Sequence, residues 1–326
     1  MSLKTLTSLI GLWATVTALG ATANAQNVYV SSEKDESIAV FNPDGKLLKQ
    51  YKTCLRPRDM QFNLDQTSLL VLCGDSNLLA EIDIASGQTV DQMPLGDSPE
   101  IFALSADQQT AYVSIEDDSV MAAYDRKTKK QIFAVATGGE PEGVLITQDG
   151  KTAYVTSEEA NLVHVIDLAS RKITKNLKVG DRPRRFAMRH DGKEVWVTNE
   201  LSASVSVIDT ATHTVKQTIT FEIPGVRTNR ITPVGIIMSP DHQTAWVALG
   251  RAHHVVQVDV NTKEVLAKVL TGKRPWGLAL SPDQKILYVT NGLSDDMTLV
   301  DTQQRKAIRT VPTGRVPHTP LVAAKP

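Results

Sequence analysis

Seven residues of this chain share one position: Arg58, Glu100, Glu142, Arg184, Val234, Trp276 and His318 each follow a proline. The prolines, from Pro57 through Pro99, Pro141, Pro183, Pro233 and Pro275 to Pro317, are spaced 42, 42, 42, 50, 42 and 42 residues apart. If such a repeat closes on itself, neighbours in the series are neighbours in space. Arg58 then meets Glu100, and Glu142 meets Arg184. Such pairs have two uses. They brace a rim as solvated ion pairs, each worth little, or they line a polar pocket whose charges contact a ligand. Arg58, Arg184 or Arg274 can hold carboxylates with the planar guanidinium fork, and Trp276 can stack on a planar ligand. Glu100 and Glu142 are the carboxylates of the series that acid–base work would need, and flanking arginines can neutralise both.

The elements that must position these residues follow from the same period. An aromatic or large apolar marker keeps step with the prolines: Tyr29, Leu70, Tyr112, Tyr154, Trp196, Trp246 and Tyr288. So does a turn marker, from Leu64-Asp65 through Asp191-Gly192 to Pro282-Asp283. Each unit holds four short runs rich in β-branched residues and separated by turn residues, as in Arg185–Met188, Val195–Thr198, Val205–Asp209 and Val215–Ile219. Four strands per unit of about 42 residues is the period of a propeller blade. The spacing predicts an all-β, seven-bladed β-propeller spanning residues 26–326. After the first 25 residues the chain begins on a second strand and ends on a first strand. One blade is therefore expected to be closed by both termini, which removes exposed sheet edges. An open solenoid would need capping repeats.

The 50-residue interval marks an insertion near residues 223–230, between the last strand of one blade and the first of the next. Insertions on a repeat scaffold often map to its binding face. Arg227 and Arg230 are candidates there for a carboxylate or phosphate; a tolerated surface loop is the alternative. Loop charge is lopsided, acidic around Glu116–Asp118, Glu140 and Glu158-Glu159 and basic around Arg182, Arg185, Arg251 and Lys273-Arg274. If these share a face, they can steer a charged partner. The expected partner is a small anionic ligand or another protein.

Other chemistries fit less well. His253-His254 are adjacent on a strand, so they point to opposite faces and rarely hold one metal; no metal site is assigned. Neither a zinc-protease H-E-x-x-H, a C-x-x-C nor a nucleophile-elbow G-x-S-x-G is found. Asp83, Asp167, Asp209, Asp259 and Asp301 end equivalent strands and read as turn caps. Lys plus Arg total 35 against 36 Asp plus Glu, a balance that argues against nucleic-acid binding. Residues 1–25 read as a secretory signal peptide: Lys4, a short apolar run, then Ala23-Asn24-Ala25 at the cleavage site. A periplasmic, soluble protein without a membrane span is expected, working as a monomer. Export makes a Cys54–Cys73 disulfide plausible; two buried thiols are the alternative.

The segments Trp196-Val197-Thr198-Asn199 and Tyr288-Val289-Thr290-Asn291, with the following Val205-Ser206-Val207-Ile208-Asp209, resemble the YVTN family of β-propellers. Looser copies are Tyr154-Val155-Thr156-Ser157 and Tyr112-Val113-Ser114, while Leu70-Val71-Leu72-Cys73 departs from the pattern. Within that family the chain is similar to exported seven-repeat proteins associated with alcohol breakdown by dehydrogenases that use pyrroloquinoline quinone. That resemblance implies a non-enzymatic binding or scaffold role accessory to quinoprotein catabolism, with the quinone as a possible ligand. The alternatives are a lactonase-like propeller enzyme and a direct binder of the quinone cofactor.

Overall fold

The computed structural model describes residues 26–323; the signal-peptide reading falls outside them. The chain folds as seven four-stranded antiparallel sheets arranged as blades. The innermost strands are Pro57–Phe62, Pro99–Leu104, Pro141–Ile146, Pro183–Met188, Pro233–Met238, Pro275–Leu280 and Pro317–Val322, and blades one to seven are numbered in that order. In blade seven the carboxy-terminal strand Pro317–Val322 pairs with Val28–Ser32, placing Leu321 opposite Tyr29. The ring is therefore closed by the two ends of the chain. Among the described residues, no helix is long and apolar enough to cross a membrane.

Each strand's composition follows from its place in the blade. Second strands are covered on both faces by neighbouring blades, so they read as continuous buried runs, as in Glu194–Asn199. Their marker residues Tyr29, Leu70, Tyr154, Trp196, Trp246 and Tyr288 are almost wholly buried. Polar ends of these rings tie blades together: Tyr288 Oη donates to the Pro43 carbonyl at 2.9 Å. Outermost strands are mostly exposed, with little more than one inward side chain each, such as Leu177 in Lys172–Lys178. Their lysines suit a solvent-facing edge.

The turn markers also have a local cause. Asp65, Asp107, Asp149, Asp191, Asp241 and Asp283 each accept the backbone N–H two residues on, at 3.0–3.2 Å. Asp83, Asp167, Asp209, Asp259 and Asp301 accept the N–H three residues on. Both sets cap turns.

The threonine or serine of the repeated motif has the largest structural role. Ser31, Ser114, Thr156, Thr198 and Thr290 each accept an inner-strand N–H of their own blade, at 2.7–3.1 Å. Each also reaches the carbonyl of the mouth residue in the next blade: Arg58, Glu142, Arg184, Val234 and His318 respectively, at 2.6–3.2 Å. One hydroxyl thus pins the irregular register of its own inner strand and docks the neighbouring one. Leu72 and Ala248 stand at the two places without it. In the blade of Leu72, Cys54 and Cys73 are joined as a disulfide with Cα atoms 5.8 Å apart, tying the loop before the inner strand to the end of the second strand.

Two outcomes test this architecture. A chain ending at residue 316 lacks the strand that closes blade seven, and its cooperative thermal transition by circular dichroism should be lost; an unchanged transition contradicts the closure. Replacing Cys54 and Cys73 together by Ala should cost about 3 kcal/mol in urea unfolding, as expected for a short cross-linked loop.

Candidate functional site

The inner strands deliver the proline-following residues to one mouth of the channel. A cavity of about 360 Å³ lies there, lined by Arg58, Glu100, Glu142, Arg184, Trp276 and His318 of the sequence-predicted series. Val234 is buried beside the channel and does not line the cavity. Arg274, also expected at the site, lines it. Arg227 and Arg230 do not. They are exposed on the insertion, which is anchored by buried Phe221, Ile223 and Ile231 packed between blades four and five. Insertion length alone could not distinguish a loop leaning over the mouth from one folded down beside it.

Charges here are organised around a few shared partners. Arg58 is buried and pairs with Glu100, with Glu33 at 3.5 Å and with Glu142 at 3.8 Å. Glu142 also takes Arg185 at 2.8 Å and Arg184 at 3.4 Å. Burial pushes the Glu142 pKa up, but Arg184, Arg185 and Arg58 outweigh it and hold the carboxyl well below its ordinary range. Glu100 lies in the opposite balance. Burial pushes its pKa up, Arg58 only partly offsets this, and charged Glu142 adds to the rise, to about 8. Two carboxylates sharing one arginine are thereby set apart, which is how sites divide acid–base roles.

Beneath the cavity, His318 and Trp276 also line a second space of about 200 Å³ with Asp59 and Arg185, so they form part of the partition between the two. His318 Nδ1–H donates to Thr319 Oγ1 at 2.8 Å, the tautomer that leaves Nε2 to accept Trp276 Nε1–H at 2.9 Å. Burial, then Arg58 and Arg185, holds its pKa well below that of a free histidine. Both ring nitrogens are occupied, so His318 offers no lone pair to a metal. Two guanidinium groups, those of Arg184 and Arg274, lie over the Trp276 ring at 5.1 and 5.0 Å. His253 and His254 have separate partners, the Arg274 N–H and the Ala252 carbonyl.

Two further sets complete the mouth; sequence reasoning had named Arg274 as a candidate and Arg182, Glu116 and Glu158 as loop charge, and missed Arg56, Glu33 and Glu200. Arg56 and Arg182, with Arg274, precede the prolines and line the mouth. They adopt left-handed backbone conformations, with φ of 52°, 55° and 59°, against the extended preference of a residue before proline. Their carbonyls are held by the N–H groups of Gly74, Glu200 and Gly292 at 2.9–3.0 Å. Those acceptor bonds identify the second set, the residues that follow the four-residue motif: Glu33, Gly74, Glu116, Glu158, Glu200, Gly250 and Gly292. Glu158 and Glu200 reach Arg182 at 2.6 and 3.4 Å and also pair with Arg184. The acidic and basic loops are therefore cross-paired over much of the mouth. The available signal was the alternation of Glu and Gly directly after each motif.

The fold and site define a seven-bladed β-propeller with a charged, partitioned channel. A family model described as "Lactonase, 7-bladed beta-propeller" matches residues 168–314, from the outermost strand of blade three to the end of blade six. No curated protein matches the chain. Among solved structures, it resembles the periplasmic gluconolactonase of Pseudomonas aeruginosa at 20% identity and TM-score 0.78, covering 92% of this chain and 99% of that one. A functionally unknown protein from Desulfotomaculum acetoxidans covers the same shares, at 16% identity and TM-score 0.77. Hydrazine synthase of Kuenenia stuttgartiensis matches at 20% identity and TM-score 0.73, over 89% and 99% of the two chains. At these identities the likeness is one of fold. The family match favours the lactonase alternative over the quinoprotein-accessory role.

The carboxylate split makes a stability prediction. Glu100 titrates near 4.5 when unfolded and about 8 when folded, so between these values the folded chain binds more protons. Its contribution is full below the unfolded value and is lost as pH rises, by at most about 1.4 kcal/mol per pH unit for one group. Urea unfolding at pH 5.5 and 8.0 should show this fall in the native chain and a flatter profile in Glu100→Gln. Glu142→Gln should instead cost about 3–5 kcal/mol at neutral pH, because it strands buried arginines.

Proposed function

We propose that the protein hydrolyses a small lactone in the arginine-lined mouth, with Glu100 as the proton-transfer group. The observation that carries this reading is the separation of Glu100 from Glu142. Glu142 is held as a fixed anion, while Glu100 titrates near working pH, where a general base is most effective. Water attacks the lactone carbonyl carbon as Glu100 takes its proton. The ring C–O bond then breaks, and the proton passes to the departing alkoxide, giving a hydroxy acid. Arg56 and Arg58, both paired with Glu100, stand ready to stabilise negative charge growing on the carbonyl oxygen. A cavity of about 360 Å³ is at the small end of ligand sites, which suits a compact ring. The family match to lactonase propellers supports the same chemistry. The amino-terminal apolar segment and the Cys54–Cys73 bond support work in an oxidising compartment, the periplasm.

The test is lactone hydrolysis by the purified protein in a pH-stat, with glucono-1,5-lactone and related aldonolactones. Turnover above background should rise with pH through about 8, and Glu100→Gln should lower kcat by roughly 10²–10⁴-fold. No turnover, or turnover indifferent to Glu100, defeats the proposal. Saturable binding without turnover would return the protein to the binding-module reading.

A further inference from the structure

The acidic ring of the mouth has a gap. Four blades carry glutamate after the motif, while Gly74, Gly250 and Gly292 take that place in the others. At Gly74 the space is used, since atoms of the Arg56 side chain lie 3.1 Å from where a Cβ would stand. Gly250 and Gly292 belong to adjacent blades five and six. Around Gly292 nothing lies nearer than 3.9 Å to a Cβ position, and the atoms at that distance are the Arg274 and Pro317 carbonyl oxygens. A side chain is missing at that place, and the cavity extends into it.

Two arginines border the gap, Arg251 and Arg274. In the rest of the mouth each guanidinium has its carboxylate: Arg56 and Arg58 have Glu100, and Arg182 and Arg184 have Glu158 and Glu200. Arg251 and Arg274 form no ion pair among the described residues. Arg274 is surrounded by like charge instead. Burial lowers its pKa, Glu200 opposes this, and Arg184, Arg251 and Arg182 lower it further. The mouth thus presents uncompensated positive charge at one sector, next to the one empty place in its ring.

We propose that this gap is a carboxylate subsite: the ligand brings to Arg274 and Arg251 the carboxylate that glutamate supplies in four other blades. This rests on reading the mouth as a lactone site, and it narrows the substrate class to lactones of dicarboxylic hydroxy acids, with one carboxyl closed into the ring and the other free. Guanidinium groups recognise a free carboxylate through paired charge-assisted hydrogen bonds.

Calorimetric titration of the purified chain with glucarate, gluconate and a hexose 6-phosphate tests this without relying on turnover. Glucarate should bind at least about tenfold more tightly than gluconate, as expected for one added charge-assisted contact. Arg274→Gln should abolish that ratio. So should Gly292→Glu, which supplies the missing carboxylate from the protein itself, whereas Gly292→Ala should preserve it and so controls for the change of backbone. Equal binding of glucarate and gluconate, binding of neither, preference for the phosphate, or a ratio that survives Gly292→Glu each overturns the subsite. If the ratio holds but no lactone is turned over, the hydrolase reading fails and the subsite stands. If lactones are turned over with no preference for the dicarboxylate, the reverse is true.

Discussion

Inner strands of a propeller touch their neighbours chiefly through what their edges and backbones offer, and in five of the seven blades a single hydroxyl sets that contact. Thr290 illustrates it: its oxygen accepts the Gly277 N–H within its own blade and donates to the His318 carbonyl in the next. The residue docked in this way is the one after the proline, which, Val234 apart, lines the channel mouth. Spacing of much of the charged series around the ring, Arg58, Glu142 and Arg184 included, therefore depends on these hydroxyls. Where the hydroxyl is missing, at Leu72 and Ala248, the neighbouring mouth residues are Glu100 and Trp276. These are the residues to which this account gives a proton-transfer role and a place beside the anion subsite.

Burying several guanidinium groups in a narrow channel is costly unless each has a partner. Glu142 meets that requirement for three of them at once and must remain charged to do so. Its charge, together with burial, raises the pKa of Glu100. The same crowding keeps His318 neutral, so the channel floor carries a hydrogen-bonded partition instead of an open hole. Compensation is complete on one side of the mouth and incomplete on the other. That asymmetry, more than the total charge, gives the cavity a direction for an incoming anion.

Much of this was legible in the sequence because a repeat amplifies weak signals. Seven prolines in step located the inner strands and their mouth residues, and the terminal phase located the split blade. Asp83 and its counterparts read as caps because a short acceptor at a strand end has few other uses. What could not be read depended on direction. Nothing in a sequence says that Arg184 and Arg274 lie over the Trp276 ring. Nothing in the length of an insertion says whether Arg227 leans over the mouth. Arg56 was overlooked, and Arg182 was read only as loop charge, because both line the mouth from a left-handed conformation that is unusual before proline. The Glu-or-Gly alternation after each motif was visible throughout, but its meaning required knowing that those residues share one ring.

Central to the account is an anion held at the incomplete side of that ring. A crystal structure of the protein soaked with glucarate tests it most directly. The account predicts a carboxylate within hydrogen-bond distance of Arg274 and Arg251, in the space beside Gly292, with the rest of the molecule directed toward Glu100. A ligand bound instead in the lower space beside Asp59 would contradict it.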